Sequence, residues 1–181
     1  MAKRNCITTY TGKSFDPTEP DAAVFDVRDI AHSLSLTCRG NGHVKTFFSV
    51  GQHCINCARE AELRGYSQRM ILACLLHDAS EAYMSDVPRP FKSAMPEYVQ
   101  AEEKILDMIY ERFLGSVLSE EECKILKTID DDLLYYDMKE LLGVTLPGDA
   151  PQLKVEVDYT VVPFEEVEKT YLALYDKWKM M

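Results

Sequence analysis

The chain has 181 residues, 46% of them hydrophobic, which suits one folded domain with a buried core and excludes a disordered segment. Thirty acidic residues against twenty basic ones give a net charge of −10, so the basic stripe that a nucleic-acid polymer requires is missing. No run of 18 apolar residues offers a membrane span.

The opening MAKRNCITTY lacks the apolar stretch of an export signal, which predicts a cytoplasmic protein whose six cysteines are free thiols. Among them Cys38, Cys74 and Cys123 have apolar neighbours and read as small core residues. A small anionic substrate remains compatible with the acidic surface, provided a local cationic pocket or a metal receives it.

In chain order, residues 1–23 are polar, carry two prolines and read as an extended arm or loop. DVRDIAHSLSL, from Asp26, has apolar residues at 27, 30, 31 and 34 and predicts a short amphipathic helix. CRGNGH is a glycine-punctuated turn. Ser49 and Gln52 form a capping-box pattern that opens a helix at about Val50. That helix has Val50, Cys54, Cys57, Ala58 and Ala61 on its apolar face, and Gly65 ends it. Residues 67–84 are expected to be the most apolar helix, stopped by Pro88 and Pro90. A further amphipathic helix covers 95–114, and Ser119 with Glu122 caps another that runs to about Leu142. LKVEVDYTVV alternates and predicts a short strand or extended segment. Phe164, Val167, Tyr171, Leu174 and Trp178 then mark a docking stripe on a final helix, about 163–179, which packs within the chain or across a two-fold to make a homodimer. The expectation is an all-α fold in a single domain, 1–181.

LLHDASEAYMSDVPRP, residues 75–90, sets several proton-binding groups inside an apolar run. A hydrolytic metal site draws nitrogen and oxygen donors from separate helices and leaves positions open for water and substrate. His77 and Asp78 are adjacent, and neighbouring helical positions point about 100° apart, so both can grip one ion. His53 borders the apolar face of the preceding helix and supplies a third donor. In KTIDDDLLYYDMKELL the fourth is Asp130, whose neighbours Leu126, Leu133 and Leu134 put it on the buried face, with Asp131 and Asp132 as fallbacks.

Four segments, DIAHSLSLTCRGNGH, FFSVGQHC, LLHDASEAYMSDVPRPFK and DDDLLYYDMKEL, together resemble the HD-domain metal-dependent phosphohydrolases. The likeness is to the small branch of 5′-deoxyribonucleotidase-like proteins, prophage-encoded ones included, and spans roughly residues 26–142. It implies an HD-type helical bundle with one divalent ion (manganese, cobalt, iron, nickel or magnesium) on His53, His77, Asp78 and Asp130. It further implies hydrolysis of nucleoside 5′-monophosphates, with Glu81 as the residue that positions or deprotonates water and Asp86 as its acidic companion. Arg39 matches a phosphate-binding arginine, Lys92 is a second cation, and His43 fits the pattern without an assigned role. The chain departs from the family at Gly40, where an aromatic is usual, and at Gly51, where alanine is frequent, a change expected to matter little.

Blander readings stand beside these. His53 taken alone is a histidine near a helix start, His77-Asp78 a buried ion pair, Asp86 a turn aspartate, Arg39 a turn residue and the DDD run a solvated face. His32 reads as structural or exposed. HCINC contains a C-x-x-C, and His53 with Cys57 is an i,i+4 pair able to bind zinc; with no second soft-ligand motif in the chain, both cysteines read as packing residues. Rival functions are an HD hydrolase acting on a triphosphate, cyclic or alarmone nucleotide, and a catalytically silent scaffold that binds a nucleotide or protein partner.

Overall fold

The computed structural model describes residues 6–179. The first five residues of the predicted N-terminal arm lie outside the described residues. The rest of that arm is more ordered than expected. It forms a two-stranded antiparallel ribbon, β1 (Ile7–Thr8) against β2 (Ser14–Phe15). Phe15 is fully buried against Phe25 and Tyr83, with ring centroids 6.0 and 4.9 Å away. The Thr11 amide and hydroxyl donate to Asp29 at 2.6 and 2.9 Å. One aromatic anchor and one buried carboxylate therefore dock a segment that composition alone marks as loose.

Helix α1 (Val27–Leu36) starts where Asp26 accepts from the Arg28 amide. A tight turn at Arg39–Gly42 follows, with Gly40, Asn41 and Gly42 all at positive φ. At φ 59° Gly40 sits in left-handed backbone, which explains why no aromatic stands there. Helix α2 (Val50–Arg64) opens on the Ser49–Gln52 capping box and closes on left-handed Gly65, as the sequence predicts. Gly51 stands at a close approach of three helices. A Cβ there would lie 3.1 Å from Val167 and 3.2 Å from the Leu34 carbonyl, so an alanine would need its neighbours to give by a few tenths of an ångström.

Helix α3 (Gln68–Leu76) is buried on every side from Met70 onward. The continuous helix expected over 67–84 breaks here. His77 Nδ1 donates to the Cys74 carbonyl at 2.8 Å, and short bonds from Ala79 to Leu76 and from Glu81 to Asp78 tighten residues 77–80 into a turn. The four-residue α4 (Glu81–Met84) then ends at Ser85, φ 75°, short of the prolines. Pro88 instead precedes the equally short α5 (Arg89–Lys92). Helices α6 (Pro96–Leu114) and α7 (Glu120–Asp137) follow the predicted bounds, the latter with its capping box formed. The predicted extension to Leu142 is present as a π-helical turn, Met138–Leu142, closed by left-handed Gly143.

LKVEVDYTVV is extended but is not a strand, since among the described residues no strand pairs with it. Its side chains alternate inward and outward as predicted, while the Lys154 and Val155 amides bond to Glu60, a carboxylate with no exposed surface. Helix α8 (Phe164–Trp178) lies along α1 and reaches α2 and α3. Its stripe is used within the chain: Val167 and Tyr171 are buried, and the Tyr171 hydroxyl donates to the Leu75 carbonyl at 2.7 Å, two residues before His77. His32, bonded to Glu168 at 2.9 Å and stacked on Tyr10, joins α1 to α8. Of the predicted core cysteines only Cys74 is buried; Cys38 is half-buried and Cys123 exposed. The described chain is mostly helical, and none of its helices is long and apolar enough to cross a membrane.

Candidate metal centre

Helices α2, α3 and α7 bring His53, Cys57, His77 and Asp130 together, with one donor atom from each lying within 4.8 Å of the others. Asp78 belongs to a second such set, with His77 and Cys54. The separate segments expected to share one ion thus do meet, and a thiol meets with them.

Hydrogen bonding settles which face each imidazole offers. His77 Nδ1 must carry its proton to donate to the Cys74 carbonyl, which turns Nε2 into the cavity. That Nε2 is buried without a hydrogen-bond partner, 3.3 Å from Asp78 and 3.7 Å from Asp130. His53 is held in the same way. Its Nδ1 faces Asp137 at 2.9 Å, and its Nε2 faces Asp130 at 3.0 Å and the Cys57 sulfur at 3.5 Å. A carboxylate or carbonyl on the outer nitrogen and an inward Nε2 is the arrangement that orients histidine toward a metal.

Asp137, which the sequence reading missed, sits where α7 passes into its π turn, a kind of irregularity that recurs at functional sites. It accepts from His53, from Arg39 at 3.4 Å and from the Tyr159 hydroxyl at 3.0 Å. Burial raises its pKa, but these donors outweigh that and hold it below the usual carboxylate range. Its signal was available: Asp137 lies two turns beyond Asp130 and faces the same way.

Charge in the cavity favours a cation. Burial lowers the pKa of both imidazoles, aided at His53 by Arg39. The surrounding Cys57, Asp130 and Asp137 at His53, and Asp78, Cys54, Cys57 and Asp130 at His77, reverse this and hold both well above the ordinary histidine value. Asp130, despite its burial, is held far below the carboxylate range by the two histidines. A divalent ion satisfies the same carboxylates while binding the imidazoles in neutral form. His77 Nε2 and Asp78 Oδ2, both buried without a hydrogen bond and 3.3 Å apart, fit that role. This cluster of buried histidine, cysteine and aspartate is able to hold a metal ion.

The fallback aspartates are engaged elsewhere, Asp131 by Lys127 and, at 3.9 Å, Arg89, and Asp132 by Arg64 at 2.7 Å. Arg39 is largely buried and points at Asp78 and Asp137, at 3.5 and 3.4 Å, with those charges holding its own proton against the pull of burial. Glu81 is buried with Oε2 unpartnered. Burial, then Asp78 and Asp86, push its pKa well up, only partly offset by Arg39 and Lys92. Asp86 is raised by burial and by Asp78, against Arg39, Lys92 and the Gly40 amide. Lys92 bridges Glu102 at 2.7 Å and Glu81 at 3.7 Å. His43 is exposed on its turn, and among the described residues its side chain makes no bond to the cluster. A cleft of about 450 Å³ reaches His77 and Asp130, and Arg89, Cys123, Leu126 and Lys127 also line it.

No protein-family model matches the chain. The uncharacterized protein YfdR of Escherichia coli K12 is 40% identical over 109 residues, 59% of this chain and 57% of YfdR. An uncharacterized protein of Rhodobacter capsulatus is 29% identical over 148 residues, 78% of this chain and 75% of that protein. The stretch shared with YfdR therefore spans little more than half the length of either chain.

Proposed function

We propose that the chain is an HD-type metal-dependent phosphohydrolase that converts nucleoside 5′-monophosphates, deoxyribonucleotides foremost, to nucleoside and phosphate. One observation carries the reading: His53 Nε2 lies 3.0 Å from Asp130 and His77 Nε2 lies 3.3 Å from Asp78 and 3.7 Å from Asp130, near a buried glutamate whose Oε2 has no hydrogen-bond partner. His53, His77, Asp78 and Asp130 would hold one divalent ion, which when bound supplies Lewis acidity to a phosphoryl group and to water.

The remaining chemistry belongs to side chains of this chain. Glu81 is buried beside like charges, so its affinity for a proton is raised well above that of an ordinary carboxylate, the direction a general base requires. It takes the proton of the attacking water as that oxygen bonds to phosphorus. When the bond from phosphorus to the 5′-oxygen breaks, the leaving oxygen receives a proton, and Asp86, also raised, is the adjacent carrier. Lys92 holds Glu81 from one side. Arg39 faces Asp78 at 3.5 Å and Asp137 at 3.4 Å, both longer than a paired guanidinium–carboxylate fork, which leaves donors for a phosphate. Arg89 and Lys127 add positive charge at the cleft.

The test is phosphate release from mono-, di-, triphosphate, cyclic and alarmone nucleotides, using chain stripped by chelator and resupplied with manganese, cobalt, iron, nickel or magnesium. Metal-dependent release from monophosphates is expected. Release confined to another class reassigns the substrate, and no release with metal bound favours the silent scaffold.

A further inference from the structure

The cysteine of HCINC that the sequence reading assigned to packing stands among the donors. Cys57 lies one helical turn after His53 on α2, so the two side chains share a face. Its side chain has no exposed surface, and its sulfur is 3.5 Å from His53 Nε2, the nitrogen turned into the cavity. Cys57 offers a donor atom within 4.8 Å of those of His53, His77 and Asp130, and Asp78 adjoins that set through His77. A metal bound to sulfur at about 2.3 Å and to nitrogen at about 2.0 Å needs donors about 3.5 Å apart. The His53 contacts to Cys57 and Asp130, 3.5 and 3.0 Å, are near that spacing. An independent pointer comes from α3, where the buried Nε2 of His77 faces the same space without a hydrogen-bond partner.

We propose that Cys57 is a ligand of this cation, making the centre a mixed nitrogen, oxygen and thiolate site suited to cobalt, iron, nickel or zinc rather than magnesium. The inference rests on reading the cavity as a metal site, and it deepens that reading by narrowing the ion. On binding, the Cys57 sulfur loses its proton to solvent and bonds to the metal as thiolate. Soft thiolate donors favour later transition metals, whereas magnesium takes oxygen donors. Cys54, one helical turn before Ala58 and near His77 and Asp78, stays a thiol outside this set.

One equivalent of cobalt(II), added to the full chain under reducing conditions and followed by absorption, tests the proposal without an activity assay. The expected spectrum has visible ligand-field bands and an intense near-ultraviolet sulfur-to-cobalt charge-transfer band. Cys57→Ser should lose the charge-transfer band and keep ligand-field bands, while Cys54→Ser should keep both. Ligand-field bands alone in the natural chain would overturn the proposal and leave the metal reading standing. A charge-transfer band that survives Cys57→Ser or disappears in Cys54→Ser would also overturn it. If the natural chain binds no cobalt, zinc or magnesium, the metal reading falls with it. Where Cys57→Ser fails to fold, the natural chain and Cys54→Ser still decide: a charge-transfer band present in both supports Cys57, and its absence from either overturns the proposal.

Discussion

On one side of the cavity, His53 and Cys57 stand on the long buried α2 and His77 caps the end of buried α3, and each imidazole has its outer nitrogen bonded to Asp137 or to the Cys74 carbonyl. On the other side, Glu81 and Lys92 belong to helices of only four residues, and Asp86 to the link between them. The first wall is over-determined by packing and hydrogen bonds; the second keeps an unpartnered carboxylate oxygen and carboxyl groups with raised proton affinity. This division suits a site where one wall holds an ion and the other moves protons. Holding needs fixed lone pairs, and proton transfer needs a group poised near neutral pH.

The comparison breaks most visibly at His77. His77→Ala should reduce bound metal, measured by elemental analysis, to background and abolish turnover with it. Glu81→Gln should keep the metal and lower kcat by about 10²–10⁴-fold, and an unchanged kcat would remove the proton-moving role from the short-helix wall. Asp137→Asn should weaken metal affinity by roughly 10- to 100-fold in a competition titration, because His53 loses the carboxylate that orients it.

Smaller effects test the supports. Tyr171→Phe keeps the buried ring but takes the donor from the Leu75 carbonyl, and should cost about 1–3 kcal/mol in denaturant unfolding. Asp26 lies outside the cavity and titrates independently of it. The bond from Arg28 lowers its pKa most, aided by Lys13 and against burial, so the carboxylate contributes stability above its unfolded pKa near 3.9. Asp26→Asn preserves the cap and removes the charge, so it should cost about 0.3–1 kcal/mol at pH 7. That difference should shrink as pH falls below about 4, measured by thermal unfolding across pH.

What could be read from sequence was set by local chemistry. Both capping boxes, the Gly65 stop and the burial of Val167 and Tyr171 follow from residues within a few positions of one another. The break after Leu76 is accompanied by a contact that no local pattern shows, the Tyr171 hydroxyl donating to Leu75 from 96 residues away. The extended segment shows its alternation in sequence, but its partner is the side chain of Glu60 rather than a strand. Leucine neighbours selected Asp130 over Asp131 and Asp132, and the geometry places Asp130 alone of the three at both histidines. The gathering at Cys57 is not a cysteine-pair motif: His53 comes from its own helix, but His77 and Asp130 arrive from segments far along the chain, which no local pattern announces.

With four histidines in the chain, nitrogen-resolved NMR of the imidazole rings tests the central claim directly. On addition of one equivalent of zinc(II), the Nε2 signals of His53 and His77 should both move to metal-bound positions while their Nδ1 atoms remain protonated, and His32 and His43 should stay unchanged. Zinc that leaves His53 and His77 unmoved, or shifts only one of them, would contradict a shared ion held between α2, α3 and α7.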